Sequence, residues 1–372
     1  MYAFGLYETE NIRPTIASFK NIGLSFSILF LISLSIFYLF PIFGISPKSN
    51  LLINVFVFGI IFILWRRFFF GLFSKKFKRS LIILGENEAS LKLVKEMSKN
   101  PHMGYSFVGF ADSLKDIAGK KDFSIIVVAS KQNFNSEDIE YIFSNKIELL
   151  NIVSAYEKIL FKVPVEFIDE VWFLNNIKNS NKKMYSLVKR FFELILSILI
   201  LIICTPFLLL SAIAIKLEDG RKIIFKQVRF SENNKAFDLY KLQTYVEGAE
   251  KDGAEWSQKK DSRITPVGSF LRKTHLDETP QIWNILKGDL ALIGPRPERP
   301  EFIDLLNKEI PHFKLRHIIK PGITGWAQIK FKYANNIEDY REKFEYDMYY
   351  IKNRNLLMDL GILIRTIQKI FN

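Results

Sequence analysis

Cysteine and histidine are scarce: the 372 residues hold one cysteine, Cys204, and four histidines. A disulfide framework and a cysteine-based metal site are thereby excluded, and the four scattered histidines do not suggest a zinc site, which needs companion ligands. His275 reads as a capping or packing residue. Acids are also in deficit, 39 against 52 lysines and arginines, which gives a net charge of +13. Such a surface suits nucleic acid, anionic lipid or a phosphate-rich substrate. The cations flank apolar runs and punctuate arginine-bearing blocks rather than line one exposed helix, so no nucleic acid is expected as a partner. Internal repeats and low-complexity tracts are absent.

Long uncharged runs are what the sequence has instead. No charge appears from Asn21 to Pro47, and Ile22 to Phe43 is long enough to cross about 30 Å of hydrocarbon as a helix. Its distance from the N-terminus and the lack of a short apolar core with a cleavage site argue against a signal peptide. Leu51 to Trp65 continues through Arg66 and Arg67 to Phe73 and reads as the second span of a hairpin. Lys75, Lys76, Lys78 and Arg79 then place both hairpin ends on the cytoplasmic face.

A third run, Ile195 to Ile215, is uncharged and interrupted by Thr205-Pro206. Lys182, Lys183, Lys189 and Arg190 precede it; Lys216, Arg221, Lys222, Lys226 and Arg229 follow it. Both flanks therefore ask for the cytoplasmic side, which a straight span cannot satisfy. A re-entrant helix over about 190–216, bent at Pro206 and leaving on the side it entered, satisfies both.

From about Ser80 to Asn175 the pattern changes to short runs, Leu81 to Leu84, Tyr105 to Val108 and Ser124 to Val128, separated by polar helical stretches. This alternation predicts a small parallel α/β domain. A dinucleotide site needs a glycine-rich turn after the first strand, but here it reads Gly85-Glu86-Asn87-Glu88-Ala89-Ser90, without the later glycines. That weighs against an oxidoreductase or epimerase. At the other end, Leu356 to Phe371 has the periodicity of an amphipathic helix, suited to a membrane surface or a core.

The candidate chemistry lies in Arg272-Lys273-Thr274-His275-Leu276-Asp277-Glu278-Thr279-Pro280-Gln281, followed by Asn284, Gly288-Asp289 and Gly294-Pro295-Arg296-Pro297. A carboxylate can attack phosphorus while its neighbour holds magnesium against a diphosphate, and arginines fork onto phosphate oxygens. Adjacent acids are common at helix starts, as glycine and proline are in turns, so the pair alone defines nothing. Order and company are more specific.

From roughly Tyr185 to the C-terminus the chain resembles the bacterial sugar transferase family, the monotopic polyprenyl-phosphate phosphoglycosyl transferases. The blocks that carry the resemblance include Lys189-Arg190-Phe191-Phe192-Glu193, Phe225-Lys226-Gln227-Val228-Arg229, Tyr240-Lys241 and Asp261-Ser262-Arg263-Ile264-Thr265. They continue through Leu276-Asp277-Glu278, Trp283-Asn284, Gly294-Pro295-Arg296-Pro297, Lys320-Pro321-Gly322-Ile323-Thr324-Gly325-Trp326 and Asp347-Met348-Tyr349-Tyr350. The resemblance implies Asp277 as nucleophile, Glu278 with Asp277 as Mg2+ ligands, and Lys241, Arg272 and Arg296 as groups binding the substrate's phosphates. It further implies a UDP-sugar donor, a polyprenyl (undecaprenyl) phosphate acceptor, UMP release, and a place at the cytoplasmic face of a bacterial inner membrane at the first step of exopolysaccharide, capsule or O-antigen synthesis. Thr205-Pro206 stands where the family usually has Ser-Pro.

The sequence departs from the family's pattern at Lys241-Leu242-Gln243-Thr244-Tyr245, where a cation is lost at Gln243, at Ser231, and at Asp219-Gly220-Arg221-Lys222. The N-terminal part resembles the family's large members, with Gly5-Leu6-Tyr7-Glu8 near the start, but carries two spans in place of the usual four. The organisation expected is therefore an N-terminal segment with a transmembrane hairpin over 1–74, a degenerate Rossmann-like α/β domain over 75–178, and a mainly helical catalytic domain with a re-entrant helix over 184–372. Membrane lipid, a second copy of the chain and downstream glycosyltransferases are the expected partners. The alternative is a catalytically inactive membrane scaffold or nucleotide-sensing regulator of a polysaccharide assembly complex; neither the sugar nor the pathway can be read from these residues.

Overall fold

The computed structural model describes residues 48–73, 79–99, 104–117, 123–178, 182–246, 261–331 and 336–370, with a few isolated positions besides. The first expected span, Ile22 to Phe43, and the Gly5-Leu6-Tyr7-Glu8 stretch lie outside them, apart from Phe30 and Ser33. The second expected span falls in helix α1, Lys48–Phe73. Its Phe56, Phe58, Ile61, Leu64, Trp65 and Phe68 are exposed. The chain divides into two compact units, Met1–Phe167 and Ile168–Asn372.

In the first unit, β1 (Arg79–Leu84), α2 (Glu88–Lys99), β2 (Tyr105–Ala111), β3 (Ile125–Val128), α3 (Ser136–Ser144), β4 (Glu148–Asn151) and α4 (Ile152–Leu160) alternate. The four strands form a parallel sheet in the order β2-β1-β3-β4. Alternation along β1 sends Leu81 and Ile83 to a core shared with Leu93 and Tyr156, and Ile82 and Leu84 to one shared with Leu114 and Ile142. The turn after β1 is closed by its own side chains. Asn87 Oδ1 accepts from Ser90 N at 2.9 Å, Ser90 Oγ from Asn87 N at 2.8 Å, and Asn87 Nδ2 donates to Ala129 O at 2.6 Å. An amide at the head of α2 that an anion would need is thus already occupied.

The second unit opens with α5, Glu170–Lys178, which composition groups with the α/β domain. Trp172 and Phe173 explain its placement: Phe173 is buried and packs on His312 with the rings tilted and their centroids 5.0 Å apart, while Lys352 lies 5.0 Å over Trp172. Next comes α6, Lys183–Asp219, an apolar helix of 37 residues. The sequence expects this helix to bend at Pro206, and one helix runs through that residue. At 1.5 Å per residue such a helix is about 55 Å long, yet both of its ends are fastened to this one unit. Near its start Lys189 Nζ donates to Ile293 O (2.7 Å), Arg190 to Ile285 O (2.7 Å) and Leu286 O (3.1 Å), and Glu193 accepts from Leu292 N (3.0 Å). Near its end Glu218 accepts from Val267 N at 3.0 Å. Between them Glu193, Ser197, Ser211 and Ile215 form a buried stripe, and Ile198, Ile202, Phe207, Leu210 and Ile213 are exposed. Among the described residues this is the helix long and apolar enough to cross a membrane.

A hairpin of β5 (Ile224–Phe230) and β6 (Ala236–Leu242) follows, then α7 (Pro266–Lys273), α8 (Gln281–Lys287), β7 (Ala291–Ile293) and α9 (Pro300–Glu309). β8 (Gly322–Thr324) pairs in parallel with β7 and leads into α10 (Trp326–Lys330), α11 (Ile337–Asn353) and α12 (Leu356–Ile370). In the last helix Asp359, Ile362 and Gln368 are buried, while Leu356, Leu357, Leu360 and Ile367 face outward.

His317 gives this unit a pH dependence. Burial, with Arg316 and Lys314 nearby, lowers its pKa to about 4 from 6.5, and its Nδ1 sits 2.6 Å from Asn234 Oδ1. The unfolded chain therefore binds a proton between these values that the folded chain refuses. The neutral ring's contribution is present above pH 6.5 and is lost as pH falls toward 4. It amounts to roughly 3 kcal/mol at 1.36 kcal/mol per pKa unit. Thermal melts at stepped pH should lose stability over this range, and His317→Gln should flatten the slope.

Candidate active site

The two carboxylates stand on a 3-10 turn, Leu276–Glu278, between α7 and α8. The turn begins at His275, whose φ of 57° is left-handed and reverses the chain after α7. Each flank of the turn is tied to an end of α6. On one side Thr265 caps α7 by accepting from Gly268 N at 3.0 Å, and it receives Arg221 NH2 at 2.8 Å. On the other, Arg190 donates to two carbonyls near the end of α8, Ile285 O and Leu286 O.

The two acids have different surroundings. Glu278 Oε1 accepts from Lys241 Nζ at 2.8 Å and from Arg296 at 3.1 Å. Burial opposes its charge, but these two cations hold its pKa far below the usual carboxylate range. Asp277 is buried, and its carboxylate takes no hydrogen bond or ion pair among the described residues. Burial and then the neighbouring Glu278 push its pKa up, while Lys241, Arg272 and His275 pull the other way. Burial likewise lowers the pKa of Lys241.

Lys241, Arg296 and the acid pair thus form one cluster. Arg272 reaches it through charge, while its guanidinium lies 4.5 Å over the Tyr245 ring and donates to the Tyr245 hydroxyl at 2.9 Å. Tyr245, one of the departures, therefore has a job: it holds Arg272, and on its ring also rests Arg263, itself paired to Asp261 at 2.7 Å. The lost cation at Gln243 is replaced by a side chain that donates to Tyr245 O at 3.1 Å. Ser231 donates to Asp289 O at 2.5 Å.

The residues that position the cluster have less visible roles in the sequence. Asn284, fully buried, accepts from Tyr240 N at 3.1 Å and donates to Asp238 O at 2.7 Å. It locks β6, and with it Lys241, onto α8. Behind Arg296, buried Arg316 donates to Arg296 O at 2.9 Å and to Asp347 at 2.7 Å, and Lys343 donates to Glu298 at 2.6 Å. Burial opposes the Glu298 charge, yet Lys343, Arg316 and Arg229 hold its pKa at about 2. Asp347 and Arg229 stand in blocks that the resemblance marks; Glu298, Arg316 and Lys343 had no signal beyond their charge. Asn284→Ala should leave β6 without this anchor and lower the rate of any reaction that uses Lys241 by about 10-fold or more, read against an unshifted Km for a substrate that binds elsewhere.

Magnesium takes one or two carboxylates together with substrate phosphates and water rather than an all-protein cage. Asp277 and Glu278 fit that description: both cations share Oε1 of Glu278, which leaves Oε2 without a partner among the described residues, and no third His, Cys, Asp or Glu gathers with them there.

An acid pair thus stands among fixed cations, on a turn held by both ends of an apolar helix. Residues 184–372 match the bacterial sugar transferase family, and the chain belongs to it. It is 41% identical over 187 residues to the UDP-N-acetylgalactosamine-undecaprenyl-phosphate N-acetylgalactosaminephosphotransferase of Aeromonas hydrophila, covering 50% of this chain and 44% of that one. It is 29% identical over 318 residues to the UDP-glucose:undecaprenyl-phosphate glucose-1-phosphate transferase of Klebsiella pneumoniae, covering 79% and 68%. A putative undecaprenyl-phosphate N-acetylgalactosaminyl 1-phosphate transferase of Bacillus subtilis is 43% identical over 132 residues, covering 36% and 74%. The chain thus spans less than half the length of the Aeromonas relative and about two thirds of the Klebsiella one.

Proposed function

We propose that this protein is a polyprenyl-phosphate sugar-1-phosphate transferase that works in two steps through Asp277. An Asp277 oxygen attacks the β-phosphorus of a UDP-sugar; the new O–P bond forms as the bridge to the α-phosphate breaks, and UMP leaves with that bridging oxygen. A phosphate oxygen of polyprenyl phosphate then attacks the same phosphorus. The acyl-phosphate bond breaks, the Asp277 carboxylate is regenerated, and the sugar remains on a polyprenyl diphosphate.

The observation that carries this reading is the asymmetry of the acid pair. Asp277 is buried and free to attack, whereas Glu278 is pinned by Lys241 and Arg296. Lys241, Arg272 and Arg296 bring positive charge to the diphosphate, where donors fixed before reaction stabilise developing charge best. Magnesium, held by Glu278 and Asp277, would neutralise the diphosphate further. The attachment of both ends of α6 to one unit supports a re-entrant helix, with site and helix ends together at the cytoplasmic face of a bacterial inner membrane. There a water-soluble donor and a lipid acceptor can meet.

The test is UMP release by the nanodisc-held protein with magnesium and undecaprenyl phosphate, over a panel that includes UDP-glucose and UDP-N-acetylgalactosamine. Magnesium-dependent release with one of the donors is expected. No release with any donor would make the inactive scaffold or regulator the better reading.

A further inference from the structure

The backbone on either side of Tyr245 is fixed by main-chain bonds, whatever its side chain does. Tyr245 bridges to Ile264, Val246 N donates to Arg263 O at 2.9 Å, and Gln243 Nε2 donates to Tyr245 O at 3.1 Å. Helix α7 lies directly against this segment: a Cβ on Gly268 would fall 2.2 Å from Thr244 O, so the two meet backbone on backbone. Arg272 is one turn beyond Gly268 on the same face of α7, which carries its guanidinium to the Tyr245 ring.

Two arginines meet that ring, and they differ in how their charge is answered. Arg263, 5.4 Å from the ring centroid, is paired with Asp261 through contacts of 2.8 Å and 2.7 Å. Arg272, 4.5 Å from the same centroid, forms no ion pair among the described residues, and its hydrogen bond there runs from Nη2 to the neutral Tyr245 hydroxyl at 2.9 Å. The hydroxyl directs its own proton toward Asp261 Oδ2, 3.4 Å away, and so keeps a lone pair for Arg272.

A carboxylate in place of Tyr245 would hold Arg272 equally well but would cancel its charge. An aromatic ring and a neutral hydroxyl fix the guanidinium plane and leave the charge, with the remaining N–H donors, to an incoming anion. With no cation at Gln243, a larger share of a bound diphosphate's charge falls to Arg272.

We propose that Tyr245 is a positioning residue for the donor: it aims Arg272 at the diphosphate without neutralising it, while Asp261 occupies Arg263 instead. The inference rests on the transferase reading above for what is bound, and adds to it the group that keeps Arg272 available.

UDP is the probe, because it carries a diphosphate and needs no turnover. Its Kd is measured by calorimetric titration of the nanodisc-held protein in magnesium, for the wild type, Tyr245→Phe and Tyr245→Leu, each with Arg272 intact or replaced in Arg272→Met. Tyr245→Leu, which loses ring and hydroxyl, is expected to weaken binding about 10-fold or more; Tyr245→Phe, which keeps the ring, about 2- to 5-fold. In the Arg272→Met background both substitutions should change Kd by less than about 2-fold, since Tyr245 acts through the guanidinium. Melting temperatures identify a variant that does not fold, and if Tyr245→Leu fails, Tyr245→Phe in the two backgrounds decides. Equal losses with and without Arg272 would reveal a packing role and overturn the proposal. Undiminished binding by the Tyr245 variants, or no binding of UDP by the wild type, would overturn it as well. The expected pattern of Kd without UMP release from any UDP-sugar would uphold the role of Tyr245 and sink the transferase reading alone.

Discussion

Asp277→Asn is expected to lower UMP release by at least about 10⁴-fold, because the substitution removes the proposed nucleophile and no neighbouring acid can replace it. Glu278 is the only carboxylate beside it in the turn, and its Oε1 is committed to Lys241 and Arg296. The substitution should not cost stability. Asparagine has nearly the same shape, and burial raises the pKa of Asp277, so the charge is carried in the folded state at a cost that the amide removes. A melting temperature equal to or above that of the wild type is therefore expected with the loss of activity. The same raised pKa fixes the sign of the pH dependence. The attacking form is the carboxylate, so the rate of UMP release should fall on acidification with an inflection above the ordinary aspartate range, the opposite of what a lowered pKa would give.

Gly322→Ala should be the most damaging single methyl group in the second unit. A Cβ there would lie 2.1 Å from Gly294 N, 2.6 Å from Ile293 C and 2.6 Å from Thr324 O, all backbone atoms that cannot turn away. Gly294 would in turn place a Cβ 2.4 Å from Lys320 O. The parallel pair β7–β8 is thus a backbone-on-backbone contact, and relief requires the strands to part beneath the turn that carries Arg296. A loss of about 3 kcal/mol or more is expected, seen as a fall in melting temperature on the order of 10 °C. Gly109→Ala is the matched control, since an added Cβ there meets nothing within 4 Å. If the two variants melt alike, the close approach of β7 and β8 is wrong.

These glycines also bear on how far the sequence could be read. Gly294-Pro295-Arg296-Pro297 and Pro321-Gly322-Ile323-Thr324-Gly325 look like ordinary turns when taken singly, because glycine and proline mark turns everywhere. Only the fold reveals that Gly294, Gly322 and Gly325 meet one another, since a contact between distant residues leaves no local pattern. The acid pair, Lys241, Arg272 and Arg296 stood out only through the order and company of the blocks, and the structure brings Glu278, Lys241 and Arg296 into contact. What separates Asp277 from Glu278 was not legible: Lys241 lies 37 residues away and Arg296 18 residues away from the glutamate they bind.

The α/β domain followed the same rule. Runs of β-branched residues announced β1 and β3, whereas Glu148-Leu149-Leu150-Asn151 has none and became β4 only by pairing with β3. In α6, charge at both flanks asks for one side of a membrane, and the structure fastens both ends of the helix to the second unit. Proline at position 206 did not end the helix, as a single missing amide can be tolerated where the surrounding turns are intact. A short helix such as α5, with Trp172 and Phe173, reads the same whichever core receives the rings, and here Phe173 meets His312.

The central claim is that the phosphosugar rests on Asp277 between the two steps. The direct measurement is the intact mass of the nanodisc-held protein after incubation with magnesium and the UDP-sugar it turns over, with no acceptor present. The account predicts a mass increase of one sugar phosphate, carried by the peptide containing Asp277, lost on addition of undecaprenyl phosphate and never formed by Asp277→Asn. Full turnover in the presence of both substrates, with no adduct and no UMP release until the acceptor is added, would contradict it and require direct transfer between donor and acceptor.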